Sequence, residues 1–391
     1  MRSYLDHAAT TPVRPEALDA MLPFLGGPTG NPSGMHASAR AARQAVDDAR
    51  ERVAALLGAA PGDVIFTSGG TEADNLAVHA AVESGTGGGG SGGRTGGQGG
   101  GSVVCSAIEH AAVLRACRRQ ADRTGAALRL VPAGADGIVD LDALGEACDE
   151  GTVLVAVMAV NNEVGSIQPI ADVATITRSK APGAALLVDA VQAVPWTDAA
   201  PLTATADLVA VSAHKFGGPM GVGALVARGR AAVAPLIVGG GQERDRRAGT
   251  PNVAGIAGMA AALAASEATR AATVDRVAAL RDRLVDGLVA AAPSLSETGD
   301  RARKVAGNAH VTVAGIDAEE LLVLLDAAGV DASSGSSCAS GAIEPSHVLV
   351  AMGMASSARS GLRLSLGWTT TAADVDLALE VVPEAVARLE D

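Results

Sequence analysis

Seven short, β-rich apolar runs that alternate with helical segments constrain this chain more than any other feature. They lie at Asp63 to Thr67, Ser102 to Ala107, Leu128 to Pro132, Val153 to Val160, Ala184 to Asp189, Asp207 to Ser212 and Gly223 to Val226. Runs that are apolar on both faces and separated by helices predict a mostly parallel central sheet covered by helices, an α/β architecture. Ahead of them, apolar positions recur at helical spacing from Met35 to Leu57 and stop at Gly58, a residue suited to the left-handed turn that closes a helix. After about Pro251 the pattern changes to two Ala-rich helices, a strand Ala309 to Val313, a helix Ala318 to Ala328, a strand Gly361 to Leu366 and a last helix. That predicts a second, smaller α+β domain.

The 391 residues, 48% of them apolar, suffice for roughly two domains with substantial cores. A formal charge of -13 and only six aromatic residues argue against nucleic acid, which needs a basic footprint, so small anionic ligands must be held locally. Cys105, Cys117, Cys148 and Cys338 show no paired spacing, which points to a reducing compartment. Met1 to Pro12 has no apolar core of signal-peptide length, and no stretch offers the ~20 apolar residues of a membrane span, so a cytoplasmic protein is expected. Residues 85–101 hold 12 glycines in 17 positions and predict a disordered surface loop. Their GxGxxG match follows a helix and opens none, which excludes a dinucleotide site.

In parallel α/β sheets ligands bind beyond the carboxyl ends of strands. The first run leads into Ser68-Gly69-Gly70-Thr71-Glu72, where glycines let the backbone approach a ligand and a helix N-terminus offers free N–H groups to a phosphate. Alone, an ordinary turn with a Thr71/Asp74 capping box explains it as well. The run Ala184 to Val188 ends at Asp189, with Gln192 one turn on; such a carboxylate is commonly an N-cap, but it also suits a protonated pyridine nitrogen. The third strand end is Ser212-Ala213-His214-Lys215-Phe216-Gly217-Gly218. Only three lysines stand against 27 arginines; Lys180 and Lys304 sit in polar or charged stretches that read as solvated surface, leaving Lys215 with the setting of an imine-forming amine. A phosphate cradle, a ring-nitrogen partner and a reactive lysine at successive strand ends are what one cofactor, pyridoxal 5'-phosphate, requires.

At these residues the chain resembles the class V aminotransferase-like enzymes, and among them the cysteine desulfurases of the NifS/IscS group. The resemblance runs through YLDHAATTP (Tyr4 to Pro12), TSGGTEADNLA (Thr67 to Ala77), Glu109-His110, NNEVG (Asn161 to Gly165), VDAVQ (Val188 to Gln192) and SAHKFGGP (Ser212 to Pro219). It continues through GGGQERDRRAGTPN (Gly239 to Asn252), SSGSSCAS (Ser333 to Ser340), EPSHVL (Glu344 to Leu349) and LRLSLG (Leu362 to Gly367). It implies a fold type I transferase and a homodimer. The large cofactor domain would span residues 13–252, and the small domain with the sulfur-accepting cysteine residues 1–12 and 253–391. It further implies that Lys215 bonds the cofactor, that His110 stacks on its ring and assists proton transfer, and that Asp189 and Gln192 meet its nitrogen and phenolic oxygen. Gly70, Thr71, Ser212 and His214 would hold the phosphate, with Thr250 reaching in from the other subunit. Asn161 would contact the cofactor and, with Arg363, clamp the substrate carboxylate. No metal is implied.

The same resemblance implies that L-cysteine gives L-alanine and a persulfide on Cys338, passed on to an acceptor protein for iron-sulfur clusters or another sulfur-containing product. Ser334 to Ser337 are small and polar, which suggests an accessible, mobile loop, whereas Cys105, Cys117 and Cys148 read as core filler. Ala213 and Met220 depart from the family pattern, and the close of the chain at Asp391 leaves the scaffold partner open. A selenocysteine lyase, a cystine lyase, an aminotransferase and a non-catalytic sulfur-trafficking platform are the competing readings.

Overall fold

The computed structural model describes residues 2–27, 29–85, 101–228, 233–335 and 344–390. Cys338 and residues 86–100 of the Gly-rich stretch lie outside the described residues.

The seven apolar runs form one sheet in the order Val64–Thr67, Gly223–Ala227, Leu208–Ser212, Ala185–Asp189, Thr152–Ala156, Ser102–Ser106, Ala127–Val131. Gly223–Ala227 is antiparallel to both neighbours and every other pairing is parallel. Most of these strands are buried throughout, because helices cover both faces. On one side Val46 and Val53 of helix Ala37–Leu56 join Val173, Ile256 and Met259; on the other Leu76, Val78, Val113 and Cys117 pack on the sheet. Gly58 takes a φ of +66° just past helix Ala37–Leu56.

A second core gathers Leu5, Leu284, Leu288, Leu321, Leu362, Leu364 and Val382. It packs around an antiparallel sheet of Gly361–Ser365, Asn308–Val313 and Leu295–Glu297. The N-terminal strand Ser3–Tyr4 returns to this half and pairs with Val330–Asp331.

Two sequence expectations are corrected by the structure. The region after Pro251 forms a single 39-residue helix, Val253–Ala291, rather than two. No proline interrupts it, its glycines lie near its ends, and alanine is the strongest helix former, so nothing in the chain stops propagation. Its first turns belong to the core under the large sheet and its last to the second core. Lys304 is a second correction: it is 6% exposed rather than on the surface, with its ammonium on Glu297 at 3.2 Å. No helix among the described residues is long and apolar enough to cross a membrane.

Candidate active site

The strand ends open onto a cavity of about 680 Å³, a size suited to a small molecule. One wall is built by the sheet. Lys215 closes the 3-10 turn Ala213–Lys215 that follows strand Leu208–Ser212. Its ammonium donates to the carbonyls of Ala8 (2.6 Å) and Ala9 (2.8 Å). The Ala8 carbonyl also accepts from Gln192 Nε2 at 2.8 Å, and Thr10 Oγ1 meets His214 Nδ1 at 3.2 Å. Residues 8–10 thus face the sheet-built wall and are tied to it at Gln192, His214 and Lys215.

Asp189 ends strand Ala185–Asp189, buried, with one oxygen accepting from Val191 N–H at 2.8 Å. Burial pushes its pKa up to about 6, against the pull of that hydrogen bond and of Lys215. Beside it lie two more buried carboxyls. Asp74 and Glu109 are driven well above the ordinary carboxylate range by burial, then by neighbouring acids. Glu109 Oε1 accepts from Met158 N–H at 2.6 Å, while Asp74 Oδ1 and Glu109 Oε2 have no hydrogen-bond partner. Three dry carboxyls this close cannot all ionise, so negative charge concentrates where a cation comes nearest. His110 caps helix Ala111–Thr124, its Nδ1 accepting from Ala112 N–H at 3.2 Å. Burial, then Lys215, hold both His110 and His214 down to about 4, so each imidazole is neutral at pH 7.

Gly70 begins the 16-residue helix Gly70–Gly85. A side chain at Gly70 would come within 2.8 Å of Val191 Cγ2 and 3.4 Å of Ser212 Cβ. Only glycine leaves that helix N-terminus bare toward the cavity, where a phosphate fits its free N–H groups. The expected Thr71/Asp74 box does not form; Glu72 accepts from Ser68 N–H at 2.8 Å, and Asp74 turns inward. These residues fit pyridoxal phosphate: a bare helix end and Ser212 for its phosphate, an under-partnered acid floor for its ring nitrogen, and an amine between them.

The other wall comes from distant parts of the chain. Arg363, in strand Gly361–Ser365, donates to Asp6 Oδ1 and to the Asn162 carbonyl, each at 2.8 Å, and its Nε is buried without a partner. Asp6 and Asn162 are functional-site neighbours that sequence reading passed over, although both lie in quoted motifs. Asn162, not Asn161, borders the large cavity. Asn161 is 1% exposed; its amide donates to the Ile108 carbonyl, and its oxygen accepts from Glu163 and Val164 N–H. To hold a ligand, it would have to leave these partners. Thr250 is exposed and lines a separate pocket of about 130 Å³ with Ser68 and Arg247. Gly335 borders the main cavity, three residues ahead of Cys338.

The sequence profile of the aminotransferase class-V family matches residues 3–378. An IscS-like cysteine desulfurase of Mycobacterium tuberculosis is 44% identical over 390 residues, 99% of this chain and 96% of that one. A cysteine desulfurase IscS of Methanosarcina thermophila is 40% identical, covering 99% and 93%. The solved structure of a NifS-like protein superposes with a TM-score of 0.90 at 33% identity, over the whole of both chains. With fold, cavity and full-length similarity in agreement, the chain belongs to the class-V aminotransferase family.

Proposed function

We infer that this protein is a pyridoxal-phosphate-dependent cysteine desulfurase, converting L-cysteine to L-alanine and passing the sulfur through Cys338 to an acceptor protein. The observation that carries this reading is convergence. Lys215, Asp189 and the bare end of helix Gly70–Gly85 face one cavity that Arg363 and Gly335 border from the other side.

Held there through Lys215, pyridoxal phosphate supplies a sink for the electrons left behind when the substrate's α-proton departs. Gly70, Thr71, Ser212 and His214 would hold its phosphate. Asp189 would set its negative charge against the ring nitrogen, and Gln192 would offer its amide to the phenolic oxygen. Arg363 takes the substrate carboxylate by a two-pronged contact that a lysine would not reproduce, exchanging its bonds to Asp6 and the Asn162 carbonyl for it. Lys215 carries the α-proton, and neutral His110 stands by to return one. The Cys338 thiolate then attacks the substrate sulfur. A sulfur–sulfur bond forms and the carbon–sulfur bond breaks. Its electron pair stays with the substrate carbon, which gains a proton and leaves as alanine.

The active unit is a homodimer in the cytoplasm, with Thr250 contributed to the partner's cavity. Exposed apolar side chains at Leu22 (61%), Leu25 (63%) and Val238 (78%) support a covered face.

Incubation with cysteine followed by peptide mass spectrometry tests the reaction and the residue together. Added sulfur on the Cys338 peptide, with alanine released, is expected. A Cys338→Ala variant that freed sulfide at full rate without added thiol would replace this reading by a lyase.

A further inference from the structure

One buried carboxylate has no place in the chemistry above. Glu163 is 1% exposed, in the turn after Asn161. Burying an acid is costly unless its partners are fixed, so what it holds is informative. Its Oε2 accepts from Ser346 Oγ at 2.5 Å. Ser346 caps the turn that leads into residues 347–351, and its Oγ accepts from Leu349 N–H at 3.1 Å. The stem of the same glutamate meets Gly335: a side chain there would lie 3.2 Å from Glu163 Cγ, and Gly335 has a φ of +82°, so only glycine lets the chain run against the acid.

Gly335 and Ser346 flank the segment 336–343 that contains Cys338. Both flanks meet on Glu163. Each is anchored again nearby. Ser333 exchanges two backbone hydrogen bonds with Arg363 (2.7 and 3.2 Å), and His347 Nε2 donates to the Glu109 carbonyl at 2.9 Å. Glu163 is itself fixed, its N–H on Asn161 Oδ1 and its carbonyl accepting from Asn308 Nδ2, both at 2.9 Å.

We propose that Glu163 is a positioning residue for sulfur transfer, a single buried carboxylate that fixes both feet of the segment bearing the acceptor cysteine. The role rests on the desulfurase reading and adds to it a device acting on the thiol rather than on the substrate. Glu163 touches no reacting atom. It sets where the thiol starts from, and an ångström of misplacement costs on the order of 10²-fold in rate.

The test separates two half-reactions in the holoenzyme with L-cysteine: solvent-deuterium exchange at the substrate α-carbon, which does not need Cys338, and persulfide formation on Cys338. Glu163→Ala and Ser346→Ala are expected to keep cofactor absorbance and α-exchange near wild type while persulfide formation falls by roughly 10- to 100-fold. Glu163→Gln, whose carbonyl oxygen still accepts from Ser346, is expected to restore most of it. Ser346→Ala removes one oxygen and keeps the test alive if Glu163→Ala does not fold. Wild-type persulfide rates in both alanine variants overturn the proposal; so does an equal loss of exchange and transfer, which would mark Glu163 as general support for the cavity. Full sulfide release by Cys338→Ala run in parallel overturns the desulfurase reading itself, and this inference with it.

Discussion

The two walls of the cavity are built in opposite ways. The sheet-side wall is made of segments that each follow a strand: Thr67 to Glu72, Asp189 to Gln192, and Ser212 to Lys215. Its side chains are placed by a sheet whose every strand is paired, and its acids are buried in that framework. The opposite wall is assembled from pieces far apart in the chain. Arg363 reaches Asp6 across 357 positions and the Asn162 carbonyl across 201, and Ser346 reaches Glu163 across 183. The difference separates two tasks: the sheet wall holds one invariant group rigidly, while the distant wall meets a substrate that comes and goes.

Substitutions should fall along that divide. Lys215→Ala removes the only amine of the sheet wall. It should abolish both the visible absorbance of the bound cofactor and turnover, at the top of the ~10²–10⁴-fold range for a proton-transfer group. An intact visible band in that variant would break the comparison at its strongest point. Asp189→Asn keeps shape and removes charge, so kcat should fall on the order of 10²–10³-fold with KM little changed, the size seen when one preorganised electrostatic partner is lost. On the distant wall the effect should shift to binding. Arg363→Lys loses the planar fork, and steady-state kinetics should show KM for cysteine rising about 10- to 100-fold with kcat less affected. A drop confined to kcat would mean that this wall, too, acts in the transition state.

The smallest expected effect concerns stability. His310 is the register partner of Arg363, fully buried with both ring nitrogens unpartnered, and burial followed by the charges of Lys304 and Arg363 holds its pKa down to about 3. A group with a depressed folded pKa contributes stability that is fully present above its unfolded value near 6.5 and is lost as the pH falls toward the folded one. Wild-type stability should therefore drop between pH 6.5 and 5 by about 2 kcal/mol more than that of His310→Phe. Urea titrations at the two pH values measure this. Asp189, raised to about 6, titrates in the same window with the opposite sign, but it does so equally in both proteins.

The sheet wall was legible in the sequence because its signals are local: an apolar run, then glycines, an acid or a lysine within a few residues. The seven runs came out within a few residues of the observed strands, the longest miss being the Val153 to Val160 run, whose strand ends at Ala156. The distant wall carries no such signal, since nothing near Arg363 announces Asp6. Resemblance alone marked it, and it named Asn161, whereas the neighbouring Asn162 is the one that borders the cavity. Lys304 misled for a related reason. Its neighbours are charged, but its partner Glu297 is brought in by the strand pairing of the second core. The helix Val253–Ala291 was read as two because alanine on every face leaves no periodic stripe to follow.

That helix has a mechanical consequence. At 1.5 Å per residue its 39 residues form a rod about 58 Å long. Val253, Ile256 and Met259 are clamped under the large sheet, and Val277, Leu284 and Leu288 under the small one. The rod therefore acts as a common axle. Swinging one half against the other means bending a continuous helix rather than flexing a linker, and melting one half frays the support of the other.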